Sequence, residues 1–127
     1  MNIPSELYYS KTHHWIRNEG SDLRIGLTDY GQDDIGEIVF VELPELDEKV
    51  SKGEPFGSIE SVKTVTEIYA PVSGTVVEVN SILDSHPELI NESPYQKAWM
   101  IVIEASDEDE LDTLLSADEY KEHLNNA

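Results

Sequence analysis

Two stretches of this chain, 38 residues apart, open on glycine and then alternate apolar with other side chains: GEIVFVEL at 36–43 and GTVVEVNS at 74–81. Alternation with a period of two is the pattern of a strand that turns one face to a core. Two such strands, each opening one half of a chain, restrict the fold more than any other feature of the sequence. Two copies are too few for a stacked solenoid, so the expected arrangement is a sandwich with approximate two-fold symmetry whose halves exchange strands. A looser continuation of the repeat sets Gly53-Glu54 against Asn91-Glu92, and 56–60 against 99–104 after a short insertion.

Local signals fill in the rest. Aromatic-bearing runs at 7–9 and 14–17 lead into NEGSD at 18–22, turn chemistry that predicts a hairpin with 23–27. Thr28 is placed to cap a short helix over 29–34, whose acidic first turn suits the helix dipole, and Gly36 lies just past its end. Strand is expected at 37–43, a turn over 50–56, and strand again at 75–80 after a break at 70–74. Residues 81–95 are rich in Asp, His, Pro, Glu, Asn and Ser, and read as an irregular loop with a covering or partner-facing role. A last strand at 97–104 is followed by an acidic segment to 115, which Ser106 is expected to cap. Ser116 and Glu119 have the spacing of a capping box for a final helix to about 124.

The composition excludes several classes of chemistry. A chain of 127 residues is long enough for one domain with its own core, here taken to span 1–127. It holds no cysteine, which removes disulfides, thiolate metal sites and cysteine nucleophiles. Twenty-seven acidic against eight basic side chains give a formal charge of -19, which repels nucleic acid and anionic membrane surfaces. The first ten residues lack the pattern of a targeting peptide, and no run approaches transmembrane length, so a cytoplasmic location is expected. The acidic run at 107–110 has Leu111 where a calcium loop needs glycine. His13, His14, His86 and His123 share no ligand spacing and read as surface histidines. Nucleophile-elbow, Walker and dinucleotide motifs are missing, so neither a catalytic nor a metal site is expected. Chemistry in such a domain would have to be carried by an attached cofactor.

One lysine, Lys63, stands among small, β-branched and acidic residues in GSIESVKTVTEIYAPVSG at 57–74. Its flanks alternate, with Ile59, Ser61, Val65 and Glu67 on one parity and Val62, Thr64, Thr66 and Ile68 on the other. That pattern predicts a strand running straight through the lysine, because Val62-Lys63 offers none of the Asn-Gly or Asp-Gly chemistry of a two-residue hairpin turn. By composition alone, a solvated strand lysine is the ordinary reading.

The segment Glu60-Ser61-Val62-Lys63, continuing to Pro71 and Gly74, closely resembles the lipoylation segment of glycine cleavage system H proteins. His13-x-Trp15, the runs at 25–29 and 36–44, Gly53, NESPY at 91–95, Trp99-Met100 and the tail from Leu114 to Tyr120 resemble that family in the same order. The resemblance implies a mainly β barrel-sandwich hybrid of two antiparallel sheets with quasi-two-fold symmetry, of the lipoyl/biotinyl-carrier type, with a short helix near 29–34 and C-terminal helices. It places Lys63 at a hairpin tip, bearing lipoic acid in amide linkage.

The implied function is that of a non-catalytic carrier. Its arm takes the aminomethyl group of glycine from the pyridoxal-phosphate decarboxylase (P protein) and passes it to the aminomethyltransferase (T protein). Dihydrolipoamide dehydrogenase (L protein) then reoxidises the arm, and a lipoyl ligase or transferase supplies it. The carrier is expected to be a monomer. Thr12 and Glu67 match positions at which the family docks its loaded arm, and His14 stands where the family has an acidic residue, which implies a less protected adduct here. Two other readings keep the sequence but change the role: a relay that donates lipoyl groups to other complexes, and an acidic interaction domain that is never modified. A biotin carrier fits less well, since Val62 and Thr64 replace the methionines that usually flank its lysine.

Overall fold

The computed structural model describes residues 1–126. Among the described residues, nine strands form two antiparallel sheets, as the alternating pattern requires. The larger sheet has six strands in the order β1 (Tyr8–Tyr9), β2 (His14–Glu19), β3 (Asp22–Leu27), β9 (Trp99–Ala105), β8 (Gly74–Val79) and β5 (Lys49–Val50). The smaller has three, β4 (Ile38–Glu42), β6 (Pro55–Ser61) and β7 (Val65–Tyr69). Among the described residues, no helix is long and apolar enough to cross a membrane.

The 38-residue repeat has a structural counterpart. β4 pairs antiparallel with β6, and its repeat partner β8 pairs antiparallel with β9. Both pairs slip register at the same place, around Val39 in β4 and Val77 in β8, positions that are again 38 residues apart. A bulge adds one residue to a strand and bends it, so each half of the chain turns its sheet at the same point. The weaker echo does not hold. Gly53 lies in a turn with φ of 84°, whereas Asn91 lies in a helix.

The core lies between the sheets. Val41, Ile59 and Ile68 of the small sheet pack with Ile16, Leu23, Ile25, Val76, Ile101 and Ile103 of the large one. Each such side chain contributes about 1.5–3 kcal/mol when withdrawn from water, so this layer supplies most of the drive to fold. A second cluster, built from Leu7, Tyr9, Trp15, Tyr95, Ala117 and Tyr120, closes the opposite face of β1 and β2.

Helix α1 (Asp29–Ile35) is capped by the Thr28 hydroxyl, which accepts from the Gly31 N–H, and ends at Gly36 with φ of 95°. Residues 81–95 are not an irregular loop. They hold two one-turn helices, α2 (Ile82–Ser85) and α3 (Leu89–Glu92), anchored in the main core by Leu83 and Ile90. A four-residue helix is too short for its periodicity to show against polar neighbours, and burial of a single apolar side chain holds each one.

The acidic segment is a 3₁₀ helix, Glu108–Thr113, capped by Asp107 and not by Ser106. The Asp107 carboxylate accepts from the Asp109 N–H. The capping box of α4 (Ala117–Asn125) forms as the spacing predicts, with Ser116 and Glu119 each accepting from the other's backbone N–H. Every buried side-chain nitrogen and oxygen among the described residues has a hydrogen-bond partner.

Candidate functional site: a lysine at a hairpin tip

Lys63 does not lie mid-strand. β6 ends at Ser61, β7 begins at Val65, and the two pair antiparallel, so the lysine sits in the connection. The turn is tight without glycine, and neither Val62 nor Lys63 takes positive φ. Ser61 makes this possible. Its backbone N–H donates to the Thr64 carbonyl at 2.8 Å, while its hydroxyl accepts from the N–H groups of Lys63 at 3.2 Å and Thr64 at 3.1 Å. A serine hydroxyl here substitutes for a main-chain acceptor, the device of an ST-turn.

The turn also exchanges parity between the strands. Ile59 now faces Thr66, and both point inward with Ile68, whereas Glu60 and Val65 pair on the outer face. Removing the hydroxyl leaves two turn N–H groups to find water. Ser61→Ala is expected to lower stability by about 1–2 kcal/mol and to slow acylation of Lys63, as a melt and a modification time course would show. Unchanged values in both would mean that the hydroxyl does not set the turn.

A second set of contacts holds the tip against the body. The Val62 N–H donates to the Glu37 carbonyl at 3.0 Å. Asn91, from α3, braces that segment on both sides: its Oδ1 accepts from the Ile38 N–H at 3.0 Å, and its Nδ2 donates to the Gly36 carbonyl and to Gln32 Oε1, each at 2.9 Å. The Lys63 stem lies over Gly36, where a Cβ would come within 3.1 Å of Lys63 Cε. Gly36 therefore serves two needs, the positive φ that ends α1 and a bare surface for the lysine stem. Sequence reasoning assigned no such role to Ser61, Gly36 or Asn91. Only the serine two residues before the lysine carried a readable turn signal.

The three docking candidates come together. Thr12, His14 and Glu67 all line a cavity of about 110 Å³, with Gly31, Ile59 and Thr66 among its other walls. Ile59 stands on β6 two residues before the strand ends at Ser61, and so links the cavity to the hairpin that carries Lys63. Glu67 sits exposed at the rim, and its Oε2 accepts from the Tyr69 hydroxyl at 3.2 Å. A larger cleft of about 440 Å³, between Lys11, Lys52, Tyr69 and Leu115, adjoins the cavity at Thr12.

His14 is not a surface histidine. It is 3 % exposed, with Nδ1 3.0 Å from Thr12 Oγ1 and 3.4 Å from Ser10 Oγ. His13 is half-buried as well, and its Nδ1 pairs with the Tyr120 hydroxyl at 2.8 Å. His14 was misread because its strand position is closed over by other elements, and His13, in the bend before β2, because Tyr30 and Tyr120 pack against it. Burial drives the His14 pKa down to about 3, with His13 adding to the effect, so the ring is neutral at pH 7. It offers a hydrogen bond to the cavity and no charge.

Linkage fixes the sign of the pH effect. The unfolded chain takes up this proton below about pH 6.5 while the folded chain does not. Stability present above that pH is therefore lost as pH falls toward the folded value, by about 1.4 kcal/mol per pH unit for this one group. Melts of the wild-type chain and of His14→Gln between pH 7 and 4 are expected to diverge, the wild type falling more steeply. Parallel curves would contradict a neutral buried His14.

Two antiparallel sheets with repeated strand pairs and a solvent-facing lysine on a braced hairpin turn define a domain of the barrel-sandwich type. A family model described as glycine cleavage H-protein matches residues 7–127. The chain belongs to that family. It is 60 % identical over 125 residues to the glycine cleavage system H protein of Geobacillus kaustophilus (strain HTA426), covering 98 % of each chain. It is 61 % identical over 124 residues to that of Staphylococcus haemolyticus (strain JCSC1435), again covering 98 % of each. The crystal structure of a glycine cleavage system H protein from Mycobacterium marinum matches with a TM-score of 0.86 at 35 % identity, covering 97 % of this chain and 99 % of the other.

Proposed function

We propose that this chain serves glycine cleavage as a lipoyl carrier, with the group held in amide linkage on Lys63 Nζ. The observation that carries the reading is the tip itself: an exposed lysine on a turn tied down by Ser61, Glu37 and Asn91, with its stem resting on a glycine whose Cβ would intrude. The residues present fit such a group, since the amine is accessible and its backbone is fixed. When bound, a lipoyl group supplies a disulfide–dithiol pair that accepts, holds and releases a one-carbon amine.

This chain's own residues present, orient and shelter. The braced turn limits the directions in which the arm leaves the surface, so an enzyme meets it from few orientations. Thr12 and neutral His14 offer hydrogen bonds within the cavity, and Glu67 places a carboxylate at its rim. With no charge at position 14, Glu67 and Asp34, the two carboxylates that line the cavity, are the sources of charge pairing for an amine docked there. P, T and L proteins, a modifying ligase or transferase, a cytoplasmic location, a monomeric state and a single domain over 1–127 belong to the same reading.

Intact mass tests attachment. Apo-protein incubated with lipoate, ATP and a lipoate ligase is expected to gain one lipoyl amide, mapped by peptide mass to Lys63. A chain that gains none, or gains it elsewhere, overturns the assignment. Glycine–bicarbonate exchange with P protein, set against lipoyl transfer to dehydrogenase subunits, separates the carrier from a relay.

A further inference from the structure

The outer face of the small sheet bears a patch that neither the turn nor the cavity uses. Phe40, Glu60 and Val65 are cross-strand partners on β4, β6 and β7, so their side chains stand in one row on one face. Phe40 is 52 % and Val65 65 % exposed. Val62 in the turn and Val39 at the bulge are exposed beside them. Thus four large apolar side chains open to solvent lie within one strand row of Lys63. Carboxylates are set among them: Glu60 stands between Phe40 and Val65 in the row, and Glu37, Glu42 and Glu67 are exposed as well. The next row on the same face, Glu42, Ser58 and Glu67, is polar throughout, so the apolar surface is confined to the tip. Large exposed apolar side chains gathered at one end of a sheet in this way mark a place where something docks.

We propose that this patch is the docking surface for the enzyme that acylates Lys63, a partner presenting apolar and basic side chains together. The inference rests on the attachment at Lys63 proposed above. Its first support is reach. A lysine extends about 6 Å from Cα to Nζ, so an enzyme that acts on Nζ must bring its active site down onto the hairpin and cover the row beside it. An enzyme that acts on the far end of an acylated lysine meets its target about twice as far out or more and can leave that row uncovered.

The second support is charge. Four glutamates among these apolar side chains, on a chain of formal charge -19, select a partner with basic side chains. The chemistry at Lys63 is acyl transfer from an acyl adenylate, the co-reactant. The free-base amine attacks the acyl carbonyl and forms the C–N bond. The bond from that carbonyl to the phosphate oxygen breaks, AMP leaves with the electron pair, and the amine releases its proton to solvent.

The test compares the full apo chain with Phe40→Ser and Val65→Ser, using purified lipoate ligase, ATP and lipoate, with intact mass as the readout. For Phe40→Ser the KM for the protein substrate is expected to rise about tenfold with kcat within twofold, the loss of an apolar anchor. Val65→Ser is expected to give a smaller rise in KM of the same kind. Both side chains stand half out of the fold, so melting temperatures are expected to stay close to that of the wild type. Once loaded, the variants are expected to keep glycine–bicarbonate exchange with P protein within twofold of wild type.

An unchanged KM for both variants, with the wild type modified normally, overturns the surface alone. Equal losses in acylation and exchange overturn its assignment to the modifying enzyme, and a wild-type dimer that Phe40→Ser abolishes assigns the patch to a second copy instead. A wild-type chain that gains no mass at Lys63 overturns the attachment and this surface with it.

Discussion

Lys63→Arg is expected to abolish lipoyl mass gain and to bring glycine–bicarbonate exchange with P protein down to background, while leaving the fold as it is. Arginine keeps the positive charge and most of the aliphatic stem that lies over Gly36. Its guanidinium, however, stays protonated at any working pH and has no lone pair free to attack an acyl carbonyl. The side chain is exposed at a turn, and such substitutions change stability by about 0.5 kcal/mol or less. Loss of function without loss of melting temperature is therefore the expected signature.

The chain has six lysines, and the other five stand in other surroundings. Lys49 lies in β5, Lys121 in α4, and Lys52 in a turn whose ammonium bonds the Thr113 hydroxyl. Lys11 and Lys97 precede β2 and β9. None of these five stands in the turn between β6 and β7 that Ser61 organises. If Lys63→Arg still gains one lipoyl group, a ligase reads something other than this tip.

Gly26→Ala is expected to cause a large loss of stability for a single methyl added to the large sheet. Gly26 on β3 is the register partner of Trp15 on β2, and the indole lies flat across it. A Cβ at position 26 would sit 2.5 Å from two ring carbons and 2.6 Å from Nε1. Trp15 cannot easily yield. It is fully buried, its Nε1 donates to the Pro94 carbonyl at 2.8 Å, and Tyr95 packs against it with centroids 6.2 Å apart.

Overpacking of this kind costs about 1–3 kcal/mol and occasionally more. Three kcal/mol in a domain of this size lowers the melting temperature by roughly 10 °C. Thermal melts followed by tryptophan fluorescence would show it, and Trp15→Phe in the same chain is expected to recover part of the loss. A melting temperature within a degree or two of wild type would mean that the indole shifts freely. Because the second cluster also anchors α4 through Tyr120, the C-terminal helix is expected to loosen along with Trp15.

The sheets were readable because their cause is local. Alternation at 36–43 and 74–81 reports which side chains face a core, and the structure keeps both strands, β4 shortly after Gly36 and β8 opening on Gly74. Thr28 and Ser116 were equally legible, since a cap and the N–H it accepts from lie three residues apart. The Val62-Lys63 turn was not legible from residue chemistry. It relies on a serine hydroxyl in place of glycine, and the family resemblance supplied the hairpin that alternation had run through.

His14 was misassigned for a related reason. Nothing in a histidine's neighbours along the chain tells whether a sheet and a helix will close over it. The candidate site divides along the same line. Sequence by itself determined a two-sheet fold with an internal repeat, a family, and a single lysine worth singling out. Only the tertiary structure decided that Gly36, Glu37 and Asn91 hold that lysine's turn, that Thr12, His14 and Glu67 share one cavity, and that Phe40 and Val65 stand beside the tip. Those contacts join residues far apart in the chain, and long-range contacts depend on how strands pair and helices pack, which no local pattern of side chains encodes.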